Sequence, residues 1–248
     1  MLERLEMTGH SMISQMAQME VVTNNLANID TTGYKQDKLF VNEMERRMEA
    51  LHYPHAGKNT SVPHSSQVVD FTQGGLTGTE RPLDVAITGN GLFSFETPQG
   101  EAYSRDGRFT ISNDGFLVNS DGYPVLGLGG PIQFDLQGSN SAEILINDQG
   151  EVILDSNVID KLKIVAVDDP LEFVKIGGNL FRTAAGRTPR ESEFASVKQK
   201  FLEESNVDPI REMVTMMEIF HFYQSSQKMI HAEDNILNKA VNDIGRVQ

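Results

Sequence analysis

His52 and His55 lie three residues apart with His64 nearby, a spacing that could hold a metal ion. No two further ligands on a rigid frame accompany them, so they read as side chains of a solvated connector. His221 and His231 fall beside the seam of a helix and read as interface or surface residues. The absence of cysteine removes disulfides, thiolate metal sites and a thiol nucleophile together. Gly89-Asn90-Gly91 and Gly127-Leu128-Gly129-Gly130 lack dinucleotide or P-loop spacing and read as turn glycines. The Asp-Gly pairs lack the fixed acidic ligands and terminal Glu of a calcium loop. Asp168-Asp169 and Glu203-Glu204 are adjacent. On a strand such carboxylates point to opposite faces, and on a helix they diverge by about 100°. They read as solvated charge, and no Gly-x-Ser-x-Gly triad context exists. The sequence therefore predicts no catalytic residue, no cofactor and no metal.

What the residues do offer is two apolar helices, one at each end. From Asp208 to Val247, one row of sevens holds Met216, Tyr223, Ile230, Leu237 and Ile244. A companion row holds Met213, Phe220, Gln227, Asp234 and Val241. Alternating spacings of three and four describe one stripe on a long helix, close to a coiled-coil seam. Asp208 is suited to cap its start and Pro209 to open its first turn. Gly245 stands where the helix should end. Gln227 and Asp234 are polar positions on the stripe, which either fix register and partner at a cost in stability or mark where the seam opens to water or to a lumen. From Leu2 to Leu26 a similar row holds Leu5, Met12, Met19 and Leu26, with a weaker row of Leu2, Gly9, Met16 and Thr23. Each stripe needs a cover, and the two ends are expected to pair. Met is abundant at eleven residues and clusters in these helices, a flexible filler suited to faces that meet several neighbours.

Between the ends the period changes. Leu39, Phe40, Met44, Met48 and Leu51 predict a short helix over Gln36–Leu51, followed by a polar connector. From Val68 onward, short apolar runs alternate with Gly, Asn, Asp and Pro. Asp106-Gly107, Asp114-Gly115 and Asp121-Gly122 punctuate them as hairpin turns do, and a further hairpin is expected around Asp148-Gln149-Gly150. The fold class is α+β: an all-β central body of many short antiparallel strands, with long N- and C-terminal helices that pair in a coiled-coil-like bundle. The reading divides the chain into an N-terminal helix (1–35), a short helix and connector (36–66), a β-rich body (67–190), a linker (191–207) and a C-terminal helix (208–248). The net charge of −14 argues against a nucleic-acid partner. No window is apolar enough for membrane insertion, and no cleaved secretory signal is expected at the N-terminus.

Against this background, Asn24-Asn25-Leu26-Ala27-Asn28-Ile29-Asp30-Thr31-Thr32-Gly33-Tyr34-Lys35 resembles the signature of bacterial flagellar axial proteins of rod and hook. The resemblance continues through Phe71-Thr72-Gln73-Gly74-Gly75-Leu76 and Leu83-Asp84-Val85-Ala86-Ile87-x-Gly89-x-Gly91-Leu92-Phe93. It runs on through Tyr103-x-Arg105-x-Gly107-x-Phe109 and Gly122-Tyr123-Pro124-Val125-Leu126-Gly127. Glu204-Ser205-Asn206-Val207-Asp208-Pro209-Ile210-x-Glu212-Met213 and the Ile244-Gly245-Arg246-Val247 end complete it. Length points away from hook subunits, and Tyr123–Ile132 leans toward the proximal rather than the distal rod subunits.

The resemblance implies a structural subunit of the basal-body rod, located in the periplasm. It implies polymerisation through the terminal helices with copies of itself and with other rod and axial proteins. It also implies delivery by the flagellar type III export apparatus without a cleaved signal peptide. Assembly residues are expected at Leu5, Met12, Met16, Met19, Leu26, Met213, Met216, Phe220, Tyr223, Gln227, Ile230, Leu237, Val241 and Ile244. Asn25, Asn28, Gly33 and Tyr34 belong to the joint between helix and body. Alternatives are another axial protein such as the hook or distal rod subunit, a cell-wall-acting β-domain enzyme with a helical handle, and an adhesin-like oligomer.

Overall fold

The computed structural model describes residues 2–41, 65–134, 144–155, 157–183, 187, 189–192 and 195–245, with the backbone alone at 2–7, 40–41, 65–66, 237 and 240–245. Two units emerge. One comprises 1–27, 37–68 and 208–248, the other 28–36 and 69–207.

The first unit is built on two helices, α1 (Leu2–Ala27) and α2 (Pro209–Gly245). No Gly or Pro interrupts α2 between Ile210 and Ile244, so propensity and pattern agree over ten turns. Its start is capped as the sequence predicts: Asp208 Oδ1 accepts the backbone N–H groups of Ile210 at 3.0 Å and Arg211 at 3.2 Å. Glu212 adds a carboxylate to the first turn, where the helix dipole favours it. α1 packs along α2, with Thr8 Oγ1 4.0 Å from Met229 Sδ. The shielded line on α2 runs Glu212, Met216, Ile219, Tyr223, Ser226, Ile230 and Glu233. The row of Met216, Tyr223 and Ile230 thus faces inward as expected, but its companion does not. Met213, Phe220, Gln227 and Asp234 are exposed, and the inner companion row is Glu212–Ile219–Ser226–Glu233, one residue earlier. Apolarity alone favoured Met213 and Phe220, whereas the helical face is set by which side the partner covers.

The same unit holds strands β1 (Asp37–Val41) and β2 (Ser65–Val69), paired with each other. β1 corrects the helix expected to begin at Gln36. Asp37 is tied to Asn25 through both its backbone groups, which holds it extended despite the helical spacing of Leu39 and Phe40. The rest of that predicted helix lies outside the described residues.

The second unit is a β body. Its strands are β3 (Leu76–Gly78), β4 (Val85–Thr88), β5 (Leu92–Thr97), β6 (Gly100–Ser104), β7 (Thr110–Ile111), β8 (Leu117–Val118), β9 (Ile144–Ile146) and β10 (Glu151–Leu154), followed by β11 (Asn157–Lys161), β12 (Ile164–Val165), β13 (Phe173–Gly177), β14 (Leu180–Thr183), β15 (Ser196–Gln199) and β16 (Phe201–Glu203). Five form one sheet in the order β12-β5-β6-β14-β13, and β11-β10-β9 form a second. β7-β8, β15-β4 and β16-β3 are two-stranded pairs. Asp114-Gly115 and Asp148-Gln149-Gly150 turn between paired strands as the sequence predicts, with Gly115 and Gly150 at positive φ. Asp106-Gly107 does not: β6 pairs with β5 and β14, and the chain bends away after Ser104. The expected linker over 191–207 is also corrected, since β15 and β16 lie inside it.

The main core gathers Val85, Ile87, Phe93, Phe95, Phe109, Leu117, Val125, Ile132, Val152 and Val197, all essentially without solvent contact. Phe109 sits edge-on to Phe93 at 5.2 Å and to Phe95 at 6.2 Å, geometry that adds to simple burial. Phe109→Ala should cost about 3–5 kcal/mol, measured as the shift in urea midpoint of the body's tyrosine and near-ultraviolet signals.

Candidate assembly site and a buried ion triad

The joint residues come together in two groups. Asn25, fully buried, donates its side-chain amide to Asp37 O at 2.9 Å and accepts Asp37 N–H at 2.9 Å. This two-bond clamp imitates strand pairing and fixes where the chain returns to α1. In the body, Asn28 O accepts Thr31 N–H at 3.1 Å to make a turn. Gly33 follows at φ +64°, its N–H donated to Glu203 O at 2.7 Å. A Cβ there would lie 2.5 Å from the Arg105 carbonyl carbon and Asp106 N, so close backbone approach excludes any other residue. Tyr34 is buried, with Lys175 Nζ 4.1 Å above its ring.

Lys35 completes this segment with an arrangement the sequence reading missed. Its Nζ donates to Glu203 Oε1 at 2.6 Å and to Thr72 O at 2.7 Å. Glu203 Oε2 receives Arg105 Nε at 2.6 Å, and Oε1 also accepts Gly74 N–H at 3.0 Å. Three more guanidinium N–H groups close on the carbonyls of Ile87 (2.9 Å), Gly89 (2.7 Å) and Gly91. The Gly89-Asn90-Gly91 loop is therefore a cap for a cation, made of backbone carbonyls. All three side chains are at most 4% exposed. Burial pushes the Lys35 ammonium below its usual range, with the adjacent Glu203 opposing that shift and Arg105 adding to it. Reading Glu203-Glu204 together as solvated charge is corrected here: Glu204 is exposed and Glu203 is not. Opposite pointing on a strand was the available signal, since one of two adjacent strand residues must face inward.

In the helical unit, Met12, Met19, Leu26, Met216, Tyr223 and Ile230 are half-buried, while Met16, Met213, Phe220 and Gln227 face solvent. The side chains of Leu5, Leu237, Val241 and Ile244 lie outside the described residues. Two of the exposed residues belong to a wider outward line on α2: Ile210, Met213, Val214, Met217 and Phe220 are all 45% exposed or more.

Comparison with known proteins draws these parts together. Residues 9–35 match the flagella basal body rod protein model. Residues 86–154 match the D1 domain of flagellar hook protein FlgE/F/G, and 198–243 the C-terminal region of flagellar basal body rod FlgEFG proteins. The chain is 33% identical to the flagellar basal-body rod protein FlgF of Caulobacter vibrioides, covering 93% of each. It is 31% identical to FlgF of Rhizobium meliloti, over 94% of this chain and 95% of that one. It is 32% identical to the rod protein FlgG of Bacillus subtilis, over 90% and 92%. The chain belongs to the flagellar basal-body rod protein family. Each matched segment of this rod protein contributes one member of the triad: Lys35, Arg105 and Glu203.

Beside the triad, Asp106 Oδ1 accepts Thr32 Oγ1–H at 2.9 Å and Arg108 N–H at 3.1 Å. Burial raises its carboxyl above the usual range, and these hydrogen bonds partly oppose the shift. A carboxyl raised on folding gives stability that is present below its unfolded pKa and lost as pH rises through the folded value. Asp106→Asn keeps the acceptor and removes the charge. The variant should be at least as stable as the parent at pH 7, with the difference shrinking as pH falls toward about 4, as read from parallel thermal melts.

Proposed function

We propose that this rod protein is a mechanical subunit of the flagellar basal-body rod, polymerising with copies of itself and with other rod and axial proteins through its helical unit. The observation that carries the reading is the outward line of α2, where Ile210 (71% exposed), Met217 (56%) and Phe220 (48%) lie on one helix with Met213 and Val214. Met16 (59%) and Ile13 (54%) offer a similar outward pair on α1. Contiguous apolar surface of this kind costs solubility unless a partner covers it. Heterologous contacts that do not close into a ring build a helical tube, and packed helices carry torque along it.

Assembly is assigned to Met16, Met213, Phe220 and Gln227 on the outward faces. Met12, Met19, Leu26, Met216, Tyr223 and Ile230 hold the helices in coiled-coil-like register, and Leu5, Leu237, Val241 and Ile244 are assigned to assembly from their place in the sequence pattern alone. The joint of Asn25, Asn28, Gly33 and Tyr34 links helix to body. The role is not catalytic. Delivery is through the flagellar type III export apparatus. The charge of −14 opposes nucleic-acid binding, and no helix among the described residues is long and apolar enough to cross a membrane.

Met217→Asp with Phe220→Asp places two charges on the outward line and leaves the inner row intact. The double variant should keep its helical circular dichroism, fail to enter purified basal bodies and abolish swimming. Incorporation at parental levels would refute assembly through this face. Removing residues 1–27 and 208–248 should leave a soluble folded body that no longer incorporates.

A further inference from the structure

We infer that residues 196–207 are a closing segment for the β body: without them docked the body does not fold at all, and Glu203 is the residue that makes closure all-or-none. This inference concerns the body alone and does not depend on how subunits assemble.

The segment reaches most parts of the unit. β15 pairs with β4 from Ser196↔Thr88 to Gln199↔Val85, and β16 pairs with β3 from Phe201↔Gly78 to Glu203↔Leu76. Lys200, at φ +64°, turns between them, donating its N–H to Asp84 O at 2.7 Å and accepting Thr79 N–H at 2.6 Å. Val197 is wholly buried in the main core beside Val85 and Ile87. Gln199 Nε2 bridges Pro82 O at 2.7 Å and Ile144 O at 2.9 Å. Asn206 donates to Asp70 O at 2.8 Å and accepts Gln36 N–H at 2.8 Å. Twelve residues thus complete contacts begun at 36, 70, 76–88 and 144.

Hydrogen bonds and apolar contacts alone would allow such a segment to fray while the rest stayed folded. The triad changes that balance. If residues 196–207 lift away, Lys35 and Arg105 remain in the body without their shared carboxylate. An uncompensated buried charge costs far more than the pair contributes when intact. The cations must then reach water, which frees Thr72 O from Lys35 and the Ile87, Gly89 and Gly91 carbonyls from Arg105. The opening spreads to the start of β5 and to the core. Lys35 precedes every strand of the body and Glu203 ends its last one. A chain presented N-terminus first therefore has no folded body until its closing segment arrives.

Native-state hydrogen exchange on the full chain tests this. The amide of Val197, bonded to Asp148 O, reports the closing segment. Those of Leu117, Val125 and Ile132, bonded to Ile132 O, Leu117 O and Val125 O, report the core away from it. In the parent all four should exchange through one opening. Glu203→Gln should lower all four protection factors by the same ratio, about a hundred-fold or more. If that variant does not fold, Lys35→Met, which keeps the Arg105–Glu203 pair, should give a smaller but equally uniform loss. Loss of protection at Val197 with Leu117, Val125 and Ile132 unchanged would overturn the inference, as would unchanged protection at all four.

Discussion

The arrangement on which the body depends is one buried carboxylate shared by two cations. Glu203 meets Lys35 and Arg105 at 2.6 Å each, so the cluster carries a net positive charge in a place water does not reach. Burying charge is expensive, and attraction repays it only when geometry is good and every remaining donor is used. Here backbone supplies most of those partners: the Thr72, Ile87, Gly89 and Gly91 carbonyls accept from the two cations, and Gly74 N–H serves the carboxylate. An apolar trio of similar volume could pack as tightly, but it would accept many closures. The triad accepts one, because five chain segments must arrive together to satisfy it.

That demand accounts for much of the local sequence. Gly33 has the left-handed φ and close approach that carry Lys35 inward, and the glycines around Asn90 let carbonyls converge on a guanidinium. Gly107 is constrained in the same neighbourhood, since a Cβ there would stand 1.7 Å from Val85 O. These residues are scattered along the chain yet answer to one point in space. A one-dimensional reading finds them as separate motifs and has no means of joining them.

The same contrast separates what was legible in the sequence from what was not. Both long helices, the Asp208 cap and the turns at Asp114-Gly115 and Asp148-Gln149-Gly150 follow from local rules of period and conformation, and they appear where those rules place them. β15 and β16 were not legible, because Val197 and Leu202 give too short an alternation to mark strands without β4 and β3 to pair with. Asp37–Val41 shows the opposite failure: apolar spacing suggested helix, and a tertiary clamp from Asn25 overrode it. On α2 the period was right and the face half right. Seven-residue rows one position apart differ by only 100° around the axis, and the partner decides which is inside.

The two units also resolve their polar and apolar demands in different ways, and this bears on what each can do. The body encloses its aromatic core, and its buried Lys35, Arg105 and Glu203 are paired within it. Among its described residues the helical unit leaves more apolar surface open. α2 shields Ile219 while leaving Phe220, its immediate neighbour, half exposed, and it carries Met213, Met216, Met217 and Met229 around its circumference. Methionine keeps helix propensity while fitting unlike neighbours, because its unbranched chain and polarizable sulfur adapt to the surface presented. A face of Leu or Ile would select one geometry and resist others. A methionine-rich face suits the assembly proposed for this helix, whereas the body's triad suits a part that must hold one shape.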